Sequence, residues 1–231
     1  NGTVHVASNS PITIVCTVYY LTVTALDPWG DPLAMANVVV KDAVTHILLD
    51  SQTVNGTGSV VSRLPKGVYD VEVYWHGCLA CARYDVALNS DMSITLVGAV
   101  SIVNFTTVDE RDNPLVGAHL VASSPTEVVV SAVTDTNGSV RAALPNGTFL
   151  VKVYWYGVLV NSSSITVSGD ANVTLRCSVY YVTLTTVDSQ GLTLQSYLVV
   201  ESAVSHEVVG AGTTDEYGSL TLKVAAGAYH V

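Results

Sequence analysis

Apolar and hydroxyl-bearing residues alternate along most of this chain. In residues 20–26, Leu21, Val23 and Ala25 alternate with Tyr20, Thr22 and Thr24. That period of two predicts a strand with one face buried. Asp27-Pro28-Trp29-Gly30-Asp31-Pro32 then breaks the pattern with turn chemistry. Further strands are expected at residues 37–41, 46–50, 59–64, 68–75, 78–86 and 92–97. Asn55-Gly56-Thr57-Gly58, Pro65-Lys66-Gly67, His76-Gly77 and Asn89-Ser90-Asp91 supply the turns between them. Seven short strands in about 80 residues, with no helical period of useful length, predict an antiparallel β-sandwich.

The same pattern returns at a fixed interval. Gly58, Gly138 and Gly218 are 80 residues apart, as are Trp75 and Trp155. Thr134-Asp135-Thr136-Asn137-Gly138-Ser139 is matched by Thr214-Asp215-Glu216-Tyr217-Gly218-Ser219. A fixed period marks an array of one structural unit. The expected organisation is an all-β tandem of Ig-like sandwiches: residues 18–98, residues 99–178 and an incomplete repeat at 179–231. Residues 1–17 are read as closing strands of a preceding or neighbouring unit. The joints carry no Pro-rich or Gly/Ser-rich linker, so the units are expected to stack stiffly.

Residues 10–20 match residues 171–181 at an offset of 161, and Val231 aligns with Val151 and Val71 in the middle of a unit. Two readings follow. The chain is a stretch of a longer array, or the open third unit is completed by the opening strands of another copy. Strand donation of the second kind covers exposed edges. A head-to-tail contact that does not close on itself propagates as a fibre.

Charge narrows the partners. Of 231 residues only 12% are charged, nine are basic, and the net charge is −10. Nucleic acid and anionic membrane both require clustered Lys and Arg, so neither is expected as a partner. Apolar stretches such as residues 96–103 are too short to span a bilayer. Asn1-Gly2-Thr3 opens without a basic start or a long apolar run, which predicts a mature or partial chain. Sequons at Asn1, Asn55, Asn104, Asn137, Asn146, Asn161 and Asn172 predict an exported, N-glycosylated protein.

The order of motifs resembles the carboxypeptidase regulatory-like and collagen-adhesin B-type families of prealbumin-like β-sandwiches. The second repeat carries the resemblance best, with Asp109, Asn113-Pro114-Leu115, Gly117-Ala118, Thr134-Asp135, Gly138, Leu144-Pro145, Gly147 and Phe149. The first repeat has Asp27, Asp31-Pro32-Leu33, Gly58, Leu64-Pro65, Gly67 and Tyr69. The third departs most, with Gln190-Gly191-Leu192-Thr193-Leu194 at the first turn and no Leu-Pro. Tandem copies with Tyr-Trp-x-Gly hairpins and many sequons also resemble surface proteins of hyperthermophilic archaea. The resemblance implies stalks, adhesins and pilus-like fibres outside the cell. Some family members crosslink a first-strand Lys to an Asn. Residues 20–26 and 102–108 contain no Lys, so that crosslink is not expected.

Candidate chemistry is sparse. Cys16, Cys78, Cys81 and Cys177 are disulfide candidates in an exported protein. A Cys78–Cys81 bridge is one expectation, and outward pairing of Cys16 and Cys177 between molecules is another. Cys78-Leu79-Ala80-Cys81 lacks the following His of a haem attachment site, and His76 is the only nearby zinc candidate. The turns holding Asp27 and Asp31, or Asp109, Glu110 and Asp112, offer oxygen ligands for Ca²⁺, although Asp in such places more often closes the turn itself. His5, His46, His76, His119, His206 and His230 are read as sharing no repeat position. Trp75 and Trp155, with Tyr74 and Tyr154, form either a sugar platform or packing at the joints. No catalytic constellation recurs, and no enzyme activity, metal or cofactor is expected. The expected function is a structural subunit of an extracellular filament, pilus-like fibre or stiff surface stalk that assembles with itself head to tail. The alternatives are an adhesin or carbohydrate-binding spacer of a larger secreted protein, and an accessory domain of a secreted peptidase.

Overall fold

The computed structural model describes residues 16–231. The fold is all-β, with strands paired into three- and four-stranded sheets and one two-stranded ribbon. The chain divides into two compact units. Among the described residues, one holds residues 16–74 together with Cys81–Gly98, and the other holds Trp75–Ala80 and Ala99–Val231.

In the first repeat, β1 (Val18–Leu26) lies between β4 (Ser59–Pro65) and β7 (Met92–Val97). The facing sheet runs β3 (Leu48–Thr53), β2 (Asn37–Asp42), β5 (Gly67–Trp75) and β6 (Cys78–Leu88). Alternation explains the burial. Leu21, Val23 and Ala25 of β1 are fully buried, and so are Val38, Val40, Val71 and Val73 of the other sheet. The second repeat uses the same plan. β8 (Val100–Val108) lies between β11 (Ser139–Pro145) and β14 (Ala171–Arg176). β9 (His119–Ser123), β10 (Val128–Val133), β12 (Gly147–Trp155) and β13 (Val158–Val167) form its partner sheet. Phe105, Leu120, Leu144, Phe149 and Val151 fill that core.

The recurring Thr-Asp-x-x-Gly motif is a turn with a mechanism. Asp135 Oδ1 accepts the amides of Asn137 and Ser139, each at 2.8 Å. Thr134 Oγ1 donates to Leu115 O at 2.7 Å and accepts the Ala118 amide at 2.9 Å. Gly138 has φ 70°, and a Cβ there would lie 2.6 Å from Thr107 O, so backbone conformation and space both require glycine.

Two expectations are corrected. The third strand was expected at residues 46–50 and begins at Leu48. Asp42 Oδ1 accepts the amides of Val44 and Thr45, and the His46 amide donates to Asp42 O, which prolongs the turn. The sandwich is also not wholly antiparallel: β7 runs parallel to β1, and β14 runs parallel to β8.

The third repeat has β15 (Val179–Thr185) paired with β18 (Ser219–Ala225), and β16 (Tyr197–Ser202) between β17 (Val208–Thr213) and β19 (Tyr229–His230). Val179 and Ala225 join the second repeat's core cluster, so the two repeats share buried surface where they meet.

Candidate functional sites: a carboxylate lock and an open strand edge

The turn after β8 was read as closing on itself or holding Ca²⁺. Asp109 does close it, because its Oδ1 accepts the amides of Arg111 at 2.8 Å and Asn113 at 2.9 Å. Its other oxygen does more. Oδ2 receives the Tyr181 hydroxyl at 2.8 Å and lies 2.9 Å from Lys223 Nζ. The Asp109 side chain is fully buried, while Lys223 keeps 24% of its surface. Tyr181 and Lys223 face each other in register across β15 and β18, so the third repeat presents both groups to the second. Arg111 lies over the Tyr181 ring, 4.2 Å from its centroid. Arg176 pairs with Asp112 beside them. Burial pushes the Asp109 carboxyl up. The Lys223 ammonium, the Asn113 amide, the Tyr181 hydroxyl and the Arg111 amide outweigh it and hold the group well below the usual carboxylate range.

Lys223 was missed because a lone Lys on a β-strand reads as solvent-facing surface. The usable signal was comparative. Tyr181 opposite Lys223 in the third repeat corresponds to Tyr20 opposite Arg63 in the first, but to Ile102 opposite Ala143 in the second.

The second feature is an edge. β1 is flanked by β4 and β7, and β8 by β11 and β14, whereas β15 pairs with β18 alone among the described residues. Val182, Leu184, Val200, Leu222, Val224 and Tyr229 line an apolar furrow there. The strand that covers the same edge in the other repeats contributes Ile94 and Leu96, or Val173 and Leu175, to the core. Residues 10–15 place Ile12 and Ile14 at those two positions. Those six residues lie outside the described part of the chain.

A third feature lies on the outer face of β2, β5 and β6. Lys41, His46, Asp70, Glu72, Tyr84 and Asp85 line an open depression of about 450 Å³. Lys41 Nζ donates to Glu72 Oε2 at 2.7 Å. Asp70 Oδ1 accepts the Asp85 amide at 3.1 Å, and His46 Nδ1 lies 3.5 Å from Asp70 Oδ2. A depression on the corresponding face of the second repeat is lined by Ser123, Thr148, Leu150 and Ser164, without a charged side chain.

The remaining candidates sort as follows. No disulfide joins the described cysteines. Cys78 and Cys81 lie on one extended strand, β6. Three residues of such a strand span roughly 10 Å, too far for the expected internal bridge. Cys177 is fully buried, and its thiol is pushed up to about 11, by burial first. Cys16 is exposed. Among the sequons, Asn1 lies outside the described residues. Asn55, Asn137 and Asn146 are exposed outside the strands. Asn104 and Asn172 are register partners, with a side-chain hydrogen bond of 3.0 Å. Asn161 Nδ2 donates to Arg176 O at 2.7 Å. Asp27 Oδ1 accepts the amides of Trp29 and Asp31, closing the turn in the first repeat. No group of three or more His, Cys, Asp or Glu suited to a metal occurs among the described residues.

His5 also lies outside the described residues. His46 and His206 do share a repeat position: each ends an Ala-Val-Thr/Ser-His turn at φ 55° and 58°. His76 lies 3.0 Å from Glu127, His119 bonds Ser131 at 2.9 Å, and His230 stacks on His206 at 6.3 Å. Trp155 packs against the second core and donates to Val116 O at 3.4 Å. Trp75 is half-buried, and its ring lies 4.4 Å from that of His76. Tyr74 donates to Glu72 Oε2 at 2.8 Å, and Tyr154 lies 6.4 Å from His119. Among the described residues no helix is long and apolar enough to cross a membrane.

No family model matches the chain, and no curated protein does. Several solved structures are similar. The Bacillus anthracis TIE protein is 20% identical with a TM-score of 0.32, over 92% of this chain and 44% of that one. This chain thus spans less than half of that protein. GBS52, the minor pilin of Streptococcus agalactiae, is 14% identical with a TM-score of 0.42, over 69% of this chain and 96% of that one. The shaft pilin SpaA of Lactobacillus rhamnosus GG is 11% identical with a TM-score of 0.34, over 70% and 98%.

Proposed function

We propose that this chain is a non-enzymatic structural subunit of an extracellular, pilus-like filament or stiff surface stalk, assembled head to tail by strand complementation. Residues 10–15 of one copy would lie along the open edge of β15 in the next, parallel to it, as β7 lies along β1 and β14 along β8. Ile12 and Ile14 would fill the furrow that Leu184 and Leu222 now leave open. The observation that carries this reading is the conjunction of an edge left unpaired among the described residues with a segment of matching pattern in the same chain. Unpaired edges are templates for another strand, and main-chain hydrogen bonds supply the affinity. The sandwiches at residues 18–98 and 99–178, and the open repeat at 179–231, would be the beads. Prealbumin-like modules with N-linked glycans on Asn1, Asn55, Asn104, Asn137, Asn146, Asn161 and Asn172 would suit a surface such as that of a heat-adapted archaeon.

The test is electron microscopy of native filaments beside chain lacking residues 1–15. Strand donation predicts filaments from the intact protein and none from the truncated one. Unchanged filaments from the truncated chain would remove strand donation.

A further inference from the structure

The Asp109 cluster shows what the second repeat requires of the repeat that follows it. Its turn offers one carboxylate oxygen, and the next repeat supplies a Tyr hydroxyl and a cation from adjacent strands. The third repeat makes the same offer. Asp188 Oδ1 accepts the amides of Gln190 at 2.8 Å and Leu192 at 2.9 Å, and the Asp188 amide donates to Leu192 O as Asp109 donates to Asn113 O. Asp188 is exposed, and its Oδ2 receives no donor among the described residues. The first repeat holds the complement. Tyr20 and Arg63 face each other in register across β1 and β4, as Tyr181 and Lys223 do across β15 and β18. Tyr20 is 49% exposed, and Arg63 is exposed without a side-chain partner among the described residues.

We propose that Asp188 of one copy receives the Tyr20 hydroxyl and the Arg63 guanidinium of the next copy, rebuilding at the head-to-tail contact the buried lock seen at Asp109. This rests on the head-to-tail reading above. Further observations bear on it. Ile102 and Ala143 occupy the Tyr and cation positions in the second repeat, so the fold itself does not require the pair. Val18 and Pro65 are register partners, as Val179 and Ala225 are, and the latter pair is buried where the second and third repeats meet. Cys16 is exposed, while its counterpart Cys177 is buried in that same place. The match of residues 10–20 to 171–181 covers the donated strand, the four residues that lead to the Tyr, and the Tyr itself. An Arg in place of Lys adds a planar fork able to bind the carboxylate through two N–H groups. The flanking groups differ, because Gln190, Gly191 and Leu192 stand where the second repeat has Arg111, Asp112 and Asn113. The contact would therefore keep the central carboxylate without the surrounding ion pairs.

The experiment is a charge swap in the complete chain, with assembly followed by light scattering and microscopy. Circular dichroism with a thermal melt of the whole chain serves as the control that both units of each variant are folded. Arg63→Glu and Asp188→Arg are each expected to raise the concentration needed for assembly by about tenfold or more, since bringing two like charges together at the contact costs at least ~1.4 kcal/mol. The double variant is expected to recover most of that loss. Single variants that assemble like the parent, or a double variant no better than either single, would overturn the contact. Loss of the contact with continued dependence on residues 1–15 would leave strand donation standing. Charge-swap rescue without that dependence would keep the contact and remove the donated strand. Absence of filaments from the intact chain would overturn both.

Discussion

Asp109 makes two kinds of contact, and only one could be read from the sequence. Its place in Asp-x-x-x-Asn-Pro announced a turn-closing carboxylate, and Oδ1 does that. The cationic partner of Oδ2 lies more than a hundred residues away on a strand whose Lys resembles ordinary surface. Burial converts that contact from a weak surface pair into a costly one to break, because each partner would be left poorly solvated. Asp109→Ala is expected to destabilise the second unit by about 3 kcal/mol in chemical denaturation, since Lys223 retains some access to water. The acid dependence has a definite sign. The folded carboxyl titrates below its free value of 3.8, so its contribution is complete above that value. It is lost as pH falls toward the folded value. The stability gap between the parent and Asp109→Asn should be constant near neutrality and narrow below about pH 4. A gap that widened in acid would show that the carboxylate is not the group being titrated.

At the scale of elements, alternation predicted the strands and the turn motifs predicted their ends, because both are local. Gly138 illustrates this. Its sequence context names the turn, and the structure adds the nearby Thr107 carbonyl. Gly138→Ala should cost about 2 kcal/mol or more, measured as a lowered thermal midpoint, because positive φ and a backbone clash add. The misplaced start of β3 has the opposite cause. Ile47 looks like a strand residue but lies exposed in the turn before β3, and the three hydrogen bonds to Asp42 Oδ1 decide the local path. Pairing direction was equally hidden, since a strand's own alternation is the same whether its neighbour runs with it or against it. The bridge expected between Cys78 and Cys81 failed for a local reason as well: the sequence showed their spacing but not the continuous extension of β6.

At the scale of the whole molecule, assembly and folding become linked through the cysteines. In the free subunit a maleimide is expected to label Cys16 quickly and Cys177 only when the second unit unfolds. In filaments joined as proposed, Cys16 should become as protected as Cys177. Persistent labelling of Cys16 in intact filaments would count against a buried joint there. The parallel pairing of first and last strands carries a mechanical consequence. In the second repeat the chain enters at the start of β8 and leaves from the end of β14, and these neighbours run in one direction. A pull applied through those two points slides the strands lengthwise against each other. The load then falls on the whole row of hydrogen bonds at once instead of opening them one by one, and resistance to force is set by the rate of that concerted rupture. A sandwich closed in this way behaves as a clamp under tension.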